Sequence, residues 1–131
     1  MFFARHILPH LEAMLEKFPV LSLTGPRQAG KTTLLRHAFP HFHYVNFERP
    51  DQRLMFTEDP LGFIRNSGPR IIFDEVQNIP EVFSYVQAVS DEKGTPGQFI
   101  LSGSQSFLLN QRISQSLAGR VYVAHLLPFT L

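Results

Sequence analysis

The stretch Gly25-Pro26-Arg27-Gln28-Ala29-Gly30-Lys31-Thr32 decides the fold, because it fits the pattern G-x-x-x-x-G-K-[ST] at every fixed position. An apolar run over residues 20–24 precedes it, and a helical pattern follows from residue 33. A glycine-rich turn between a strand and a helix presents backbone N–H groups and the positive end of the helix dipole to an anion. The stretch therefore predicts a phosphate-binding loop.

Two side chains of this loop add chemistry of their own. Lys31 supplies a positive charge that can reach the outer phosphates of a nucleotide, and the hydroxyl of Thr32 can bind a magnesium ion. The alternative is a tight turn capped by Thr32, with Lys31 merely solvated. The residues predicted to contact the nucleotide are Gly25, Pro26, Arg27, Gln28, Ala29, Gly30, Lys31, Thr32 and Thr33.

The order of apolar runs around this loop predicts the architecture. Five runs are expected to form strands, at residues 20–24, 44–47, 71–73, 99–101 and 121–127. The stretches between them predict helices at residues 32–39, 51–55, 60–64 and 81–90. Since strands that alternate with helices form a parallel sheet, the expected fold class is α/β, a three-layer P-loop NTPase with a mainly parallel sheet of about five strands.

An N-terminal helix is predicted at residues 3–18, where apolar side chains recur at three- and four-residue steps. We expect its apolar stripe to pack on the domain. The alternative is a helix that binds a membrane surface or a partner. It is disfavoured because Glu12 and Glu16 lie opposite the stripe without a basic face.

Two consecutive carboxylates, Asp74 and Glu75, follow the apolar run at residues 71–73. A buried parallel strand delivers such residues to the carboxyl edge of the sheet, where ligands bind. Asp74 can hold Mg²⁺ through the water shell of the ion, and Glu75 can polarise an attacking water as a general base. The alternative is a helix cap or a surface pair.

The strand predicted at residues 44–47 lies in sequence between the phosphate loop and the acidic strand. This order leaves room in the sequence for a strand that is inserted, in the sheet, between the phosphate-loop strand and the acidic strand. That arrangement resembles the additional-strand, catalytic-glutamate division of P-loop proteins, and the adjacent Glu75 agrees with it. The Asn-Lys-x-Asp motif typical of guanine-specific P-loop GTPases does not occur in the sequence, which favours ATP as the nucleotide.

Small polar residues end another predicted strand, and one arginine follows a later helical stretch. Ser104, chosen over Ser102, can hydrogen-bond the terminal phosphate or the attacking water, although a simple turn at Gly103 explains the pattern equally well. Arg120 can neutralise charge on the transferred phosphoryl group, in its own subunit or a neighbour's. A surface arginine is an equally good interpretation.

Composition limits the classes of function. A chain of 131 residues with 44% hydrophobic composition is expected to form one domain, residues 1–131. The net charge of +1 marks no nucleic-acid surface, and the absence of cysteine excludes disulfides and thiol catalysis, so we expect a cytoplasmic protein. His6, Pro9 and Glu12 interrupt the apolar start before a membrane span can form. The apolar end at Leu131 predicts a fragment of a longer protein.

Taken together, several segments of the sequence resemble one family, and the resemblance covers nearly the whole chain from residue 20 onward. The segments are residues 25–33, Tyr44-Val45-Asn46-Phe47-Glu48, Ile72-Phe73-Asp74-Glu75-Val76-Gln77, Leu101-Ser102-Gly103-Ser104, Ser116-Leu117-Ala118-Gly119-Arg120 and Leu127-Pro128-Phe129. The family is the bacterial and archaeal AAA-type ATPases, in which an N-terminal P-loop domain precedes a C-terminal domain of unknown function.

The resemblance implies roles for the candidate residues. Lys31 and Thr32 become the phosphate and magnesium contacts, Asp74 the metal-side acid, and Glu75 the base. Ser104 becomes the sensor-type polar residue, and Arg120 matches an arginine of the family. The family continues past the end of this chain, with a helical lid and a C-terminal domain.

The predicted function is Mg²⁺-dependent ATP binding and hydrolysis to ADP and phosphate, coupled to an attached domain or to a protein or nucleic-acid partner. One alternative is a nucleotide-controlled switch with little or no turnover. Another is a small-molecule kinase, for which the sequence marks no acceptor pocket. Formation of a homo-oligomer is left open.

Overall fold

The computed structural model describes residues 2–25, 30–104 and 119–125. The described helices are α1 (Phe2–Leu15), α2 (Lys31–Ala38), α3 (Pro50–Glu58), α4 (Pro60–Asn66) and α5 (Val82–Lys93), with a short 3₁₀ turn at Val76–Asn78. The described strands are β1 (Val20–Gly25), β2 (His43–Asn46), β3 (Ile71–Asp74), β4 (Phe99–Ser104) and β5 (Val121–His125). The strands and helices predicted between residues 3 and 101 are therefore all present, with small differences in their bounds, and the fifth strand is present as far as His125. The helical stretch predicted before Arg120 lies outside the described residues.

The five strands form one sheet in the order β2-β3-β4-β1-β5, and all neighbouring pairs are parallel. Helices cover both faces, as parallel sheets require. The predicted α/β fold with a five-stranded parallel sheet is confirmed. Residues 126 and 127 of the predicted fifth strand lie outside the described residues.

A strand is inserted between the phosphate-loop strand β1 and the acidic strand β3, but it is β4 rather than β2. The expectation that the strand near residues 44–47 takes this place is wrong, because β2 forms the edge of the sheet beside β3. The burial of the two strands explains the difference. Phe99, Ile100 and Leu101 in β4 are all buried, as a central strand requires, whereas His43 in β2 is exposed.

Helix bounds follow local signals that the sequence contains. Both α3 and α4 begin with proline at their first position, where the missing N–H costs nothing. Asp59 caps α4 by accepting a hydrogen bond of 3.2 Å from the backbone N–H of Gly62. Helix α5 ends at Lys93 and is capped by Gly94, whose φ of 66° is left-handed and suits glycine.

Two apolar layers hold the helices to the sheet. One lies between the sheet and α1 and α2, and the other between the sheet and the segment from α3 to α5. The first layer contains Leu11, Leu21, Leu23, Leu34, Leu35, Phe39, Ile72, Ile100 and Ala124. The second contains Val20, Val45, Phe47, Phe56, Ile64, Ile71, Phe73, Val76, Ile79, Val82, Phe83, Val86, Val89, Phe99 and Leu101. The N-terminal helix thus packs on the domain through Leu11, as its stripe predicts.

Phe73 is the centre of the second layer. Its ring stacks on Phe47, with centroids 5.3 Å apart and planes 7° from parallel, and on Phe99 at 6.1 Å. Phe56 meets the same ring edge-on at 5.9 Å. Offset stacks and edge contacts of this kind add to the free energy of simple burial. Phe73 therefore anchors the strand that ends in the acidic pair.

None of the helices in the described part of the chain is both long enough and apolar enough to cross a membrane.

Replacing Phe73 by alanine is expected to lower the free energy of unfolding by about 3 to 5 kcal/mol, because a fully buried ring is lost and a cavity remains. Urea unfolding followed by circular dichroism measures the change. Leu54→Ala on α3 is the control, since that side chain is 61% exposed and its loss should change stability by no more than about 0.5 kcal/mol. Equal effects of the two substitutions would contradict the assigned core.

Candidate functional site

Most of the predicted site residues that the structure describes converge at the carboxyl edge of the sheet, where β1, β3 and β4 end. Gly25, the last residue of β1, pairs in register with Ser104, the last residue of β4. Asp74 ends β3 beside them. Parallel strands deliver their carboxyl ends to one edge, which is why residues far apart in sequence meet here.

The phosphate-loop residues that the structure describes surround the start of α2. Gly30 precedes this helix with φ 81°, a left-handed conformation that glycine adopts without strain. Lys31 is only 2% exposed, and Thr32 and Thr33 follow in the first turn of the helix. The predicted contacts Pro26, Arg27, Gln28 and Ala29 lie outside the described residues. The described part thus places the first turn of a helix, with the positive end of its dipole, at the carboxyl edge.

Asp74 is the centre of the hydrogen bonding at this edge. It is 1% exposed, and its Oδ2 accepts hydrogen bonds from Thr32 Oγ1 at 2.7 Å and from Tyr44 Oη at 2.6 Å. Its Oδ1 accepts from the backbone N–H of Glu75 at 2.9 Å. A carboxylate buried this deeply needs such donors, because an unpaired buried charge is costly.

Thr32 and Asp74, the two residues predicted to hold magnesium, are therefore in direct contact. Both offer oxygen atoms, the ligand type that Mg²⁺ prefers, and Mg²⁺ normally keeps several waters when it binds one or two protein groups. The Thr32 hydroxyl donates its proton to Asp74, so its lone pairs are free to face a cation. This donor set fits a magnesium ion.

Tyr44 is a site residue that the sequence reasoning missed. Burial, followed by the hydrogen bond to Asp74, raises the pKa of its hydroxyl well above the ordinary value. The Tyr44 ring also contacts a cation, because the Arg36 guanidinium lies over it, 4.8 Å from the ring centroid. Tyr44 lies in a strand that the sequence predicts, but only the pairing of the strands shows that β2 lies next to β3, which ends in Asp74.

Glu75 leaves the strand through an unusual backbone conformation. Its φ of 58° and ψ of 46° make it the only described residue other than glycine with a positive φ. For a residue with a Cβ this conformation costs about 1 to 3 kcal/mol. This conformation directs the chain from β3 into the 3₁₀ turn. The side chains of Glu75 and Asp74 accept hydrogen bonds from different residues. Strain of this kind is typical of functional sites.

Glu75 is 8% exposed, and its carboxylate reaches the end of β4. Its Oε1 accepts a hydrogen bond of 2.6 Å from Gln77 Nε2 and a longer one of 3.4 Å from Ser104 Oγ. The predicted base and the predicted sensor-type serine are thus neighbours. Ser102 lies deeper in β4, and its buried hydroxyl has no hydrogen-bond partner among the described residues.

Arg120 lies at the other end of the sheet. Its carbonyl accepts a hydrogen bond of 3.2 Å from the N–H of Val20, at the amino end of β1. Its guanidinium forms an ion pair with Asp91 of α5. A strand of five residues, at roughly 3.3 Å each, separates this position from the carboxyl edge. The structure therefore does not bring Arg120 to Glu75 within one chain, because the arginine precedes β5 instead of following it.

Comparison with known proteins agrees with this fold. A family model described as an AAA domain matches residues 17–131. Two curated relatives, uncharacterized proteins of Mycobacterium bovis and Mycobacterium tuberculosis, are each 36% identical over 129 residues, which cover 97% of this chain. The chain spans 29% of the length of these relatives.

Solved structures share the architecture. A Walker-type ATPase of Pyrococcus abyssi superimposes with a TM-score of 0.65 at 20% identity, over 98% of this chain and 54% of that one. A DNA replication initiation factor superimposes with a TM-score of 0.59 at 14% identity, over 95% of this chain and 45% of that one. At such identities the likeness concerns the fold alone, and it confirms the three-layer α/β P-loop architecture.

The strain at Glu75 can be measured with two substitutions that both remove the carboxylate. Glu75→Gly is expected to be more stable than Glu75→Ala by about 1 kcal/mol, because only alanine brings a Cβ into the left-handed conformation. Chemical unfolding of the two variants gives the difference. At an ordinary helical or extended position alanine is the more stable of the two, so a higher stability of Glu75→Ala would contradict the strained geometry.

The Tyr44 hydroxyl can be tested by Tyr44→Phe, which removes one donor from buried Asp74. The expected loss is about 1 to 3 kcal/mol of unfolding free energy. Because the pKa of Tyr44 is raised in the folded state, its contribution is fully present below the unfolded tyrosine pKa of about 10 and declines at higher pH. Unfolding of both proteins without magnesium across that range measures the gap. A gap that widens above this pH would contradict the assigned bond.

Proposed function

This chain belongs to the family of AAA domains, and from that premise we propose that it binds ATP with Mg²⁺ and hydrolyses it to ADP and phosphate. One observation supports the proposal most directly. The 2.7 Å hydrogen bond from Thr32 to Asp74 joins the first turn of α2 to the acidic end of β3. The phosphate-binding element and the metal-side acid therefore form a single site.

The nucleotide phosphates would bind at the start of α2. The N–H groups of the first helical turn and the helix dipole attract the anion there, and the glycine conformation at Gly30 keeps side chains out of the way. Lys31 places its positive charge at the same point. Because this side chain is buried, its ammonium group is poorly solvated by water and is compensated well by phosphate oxygens.

Thr32 and Asp74 would hold the magnesium ion. When bound, Mg²⁺ would neutralise negative charge that develops on the phosphate groups during the reaction. Asp74 would act mainly through the waters of the ion, and the 2.6 Å hydrogen bond from Tyr44 keeps the Asp74 side chain oriented.

Glu75 is the proposed general base. It would accept a proton from the water that attacks the terminal phosphorus, while the bond between that phosphorus and the bridging oxygen breaks and ADP leaves. Ser104, in contact with Glu75, is positioned to hydrogen-bond the same water or the terminal phosphate. Arg120 can contribute only through a neighbouring subunit, given its place at the amino end of β5.

We propose that turnover is coupled to an attached domain or to a protein or nucleic-acid partner, in the cytoplasm. The relatives are more than three times as long as the matched region, since this chain spans 29% of their length. A further domain within this additional length would be the natural recipient of a conformational change driven by nucleotide. A C-terminal domain and a homo-oligomer remain predictions for this protein.

Two substitutions separate binding from hydrolysis. Lys31→Ala is expected to weaken binding of fluorescent ATP in the presence of Mg²⁺ by about tenfold to a hundredfold, the value of a hydrogen bond to a charged group. Glu75→Gln is expected to retain binding and to lower kcat by about 10² to 10⁴. Phosphate release measures the turnover.

Lys17→Ala is the matched control, because this lysine is exposed in the turn after α1. It should leave both quantities unchanged. Absence of ATP binding by the unmodified protein with Mg²⁺ would overturn the proposal. Equal slow turnover in the unmodified protein and in Glu75→Gln would instead support a nucleotide-controlled switch.

A further inference from the structure

The side chain of Gln77 joins the ends of two strands at the site. It lies in the 3₁₀ turn that follows Glu75. Its Nε2 donates to Glu75 Oε1 at 2.6 Å, and its Oε1 accepts from the backbone N–H of Ser104 at 3.3 Å. Ser104 Oγ also reaches Glu75 Oε1, at 3.4 Å. The three residues therefore form a closed ring of hydrogen bonds.

A carboxamide side chain suits both contacts, because it carries a donor and an acceptor at the same end. A carboxylate at this position has no proton for Glu75 and would repel it. Asparagine is shorter by one methylene group and would have to move the turn to reach both partners. The chemistry of glutamine, and not merely its volume, is therefore what the geometry uses.

The backbone that carries Gln77 is held firmly. Val76, its neighbour, is 1% exposed and belongs to the apolar layer around Phe73. The N–H of Asn78 donates to the carbonyl of Glu75 at 3.2 Å, and the N–H of Ile79 donates to the carbonyl of Val76 at 3.0 Å. A side chain on such a fixed turn can set the direction of a neighbouring carboxylate.

We propose that Gln77 is a positioning residue for Glu75, an inference that rests on the proposed hydrolysis. Both contacts of the ring fall on Oε1 of Glu75, which turns the other oxygen, Oε2, toward the water that is to be activated. Through the Ser104 N–H, Gln77 also ties the base to the end of β4. The carboxylate and the sensor-type serine are thereby aligned as one unit, and a shift of either strand end misplaces the base.

The experiment compares Gln77→Ala and Gln77→Glu with the unmodified protein. Both are expected to lower kcat about tenfold to a hundredfold, since each loses a hydrogen bond to a carboxylate that must be aligned for reaction. The dissociation constant of ATP with Mg²⁺ should not change, because the hydrogen bonds of the Gln77 side chain go to Glu75 and Ser104 and not to the first turn of α2. Gln77→Glu keeps the volume of the side chain, so it separates the amide donor from packing.

A second experiment introduces Gln77→Ala into the Glu75→Gln protein. If Gln77 acts through Glu75, Gln77→Ala should cause no further loss of kcat there, because the base is already absent. A merely structural role would lower turnover by the same factor in both backgrounds. Gln87→Ala on α5 is the control glutamine, and it should leave kcat, affinity and unfolding unchanged.

The outcomes separate this inference from the proposed function. Turnover that is normal in the unmodified protein and in Gln77→Ala overturns the positioning role and leaves the hydrolysis proposal standing. An equal loss in both backgrounds, or a loss of ATP affinity equal to the loss of kcat, also overturns it. A complete lack of turnover in the unmodified protein overturns both proposals together.

Discussion

The carboxylate of Asp74 is the interaction on which the rest of this site depends. It is almost fully buried and accepts hydrogen bonds from three segments of the chain, at Thr32, Tyr44 and the backbone of Glu75. Because a buried carboxylate is stable only when its oxygens are paired, these contacts fix α2, β2 and the end of β3 relative to one another. The proposed nucleotide site is thus organised around an acid as well as around its loop.

The insertion of β4 sets the distance between β1 and β3, the two strands that flank the proposed site. Neighbouring strands lie about 4.8 Å apart, so β1 and β3, which flank β4, are separated by roughly twice that distance. Thr32 still reaches Asp74 because α2 packs over the face of the sheet. Ser104, at the end of β4, lies between the phosphate-loop strand and Glu75. One central strand therefore sets both the spacing of the site and the place of its polar contacts.

The aromatic layer beneath the acidic strand gives the site its rigidity. Stacking of Phe73 between Phe47 and Phe99 holds β2, β3 and β4 together from one face. Val76 enters the same layer directly after Glu75. Packing on both sides of Glu75 can hold the residue in its left-handed conformation, which an isolated turn would not retain. The local strain and the ring formed with Gln77 and Ser104 are consequences of one well-packed core.

Local chemistry in the sequence determined the phosphate loop, the five apolar strands and the acidic pair, because each depends on residues that are neighbours in the chain. The tertiary structure alone decided the strand order, which made β4 and not β2 the inserted strand. It also revealed Tyr44 beside Asp74, Gln77 beside Glu75, and Arg120 at the opposite edge of the sheet. These relations depend on which strands pair and on which end of a strand a residue occupies. Long-range pairing of that kind is set by the packing of the whole core, which no short pattern of residues encodes.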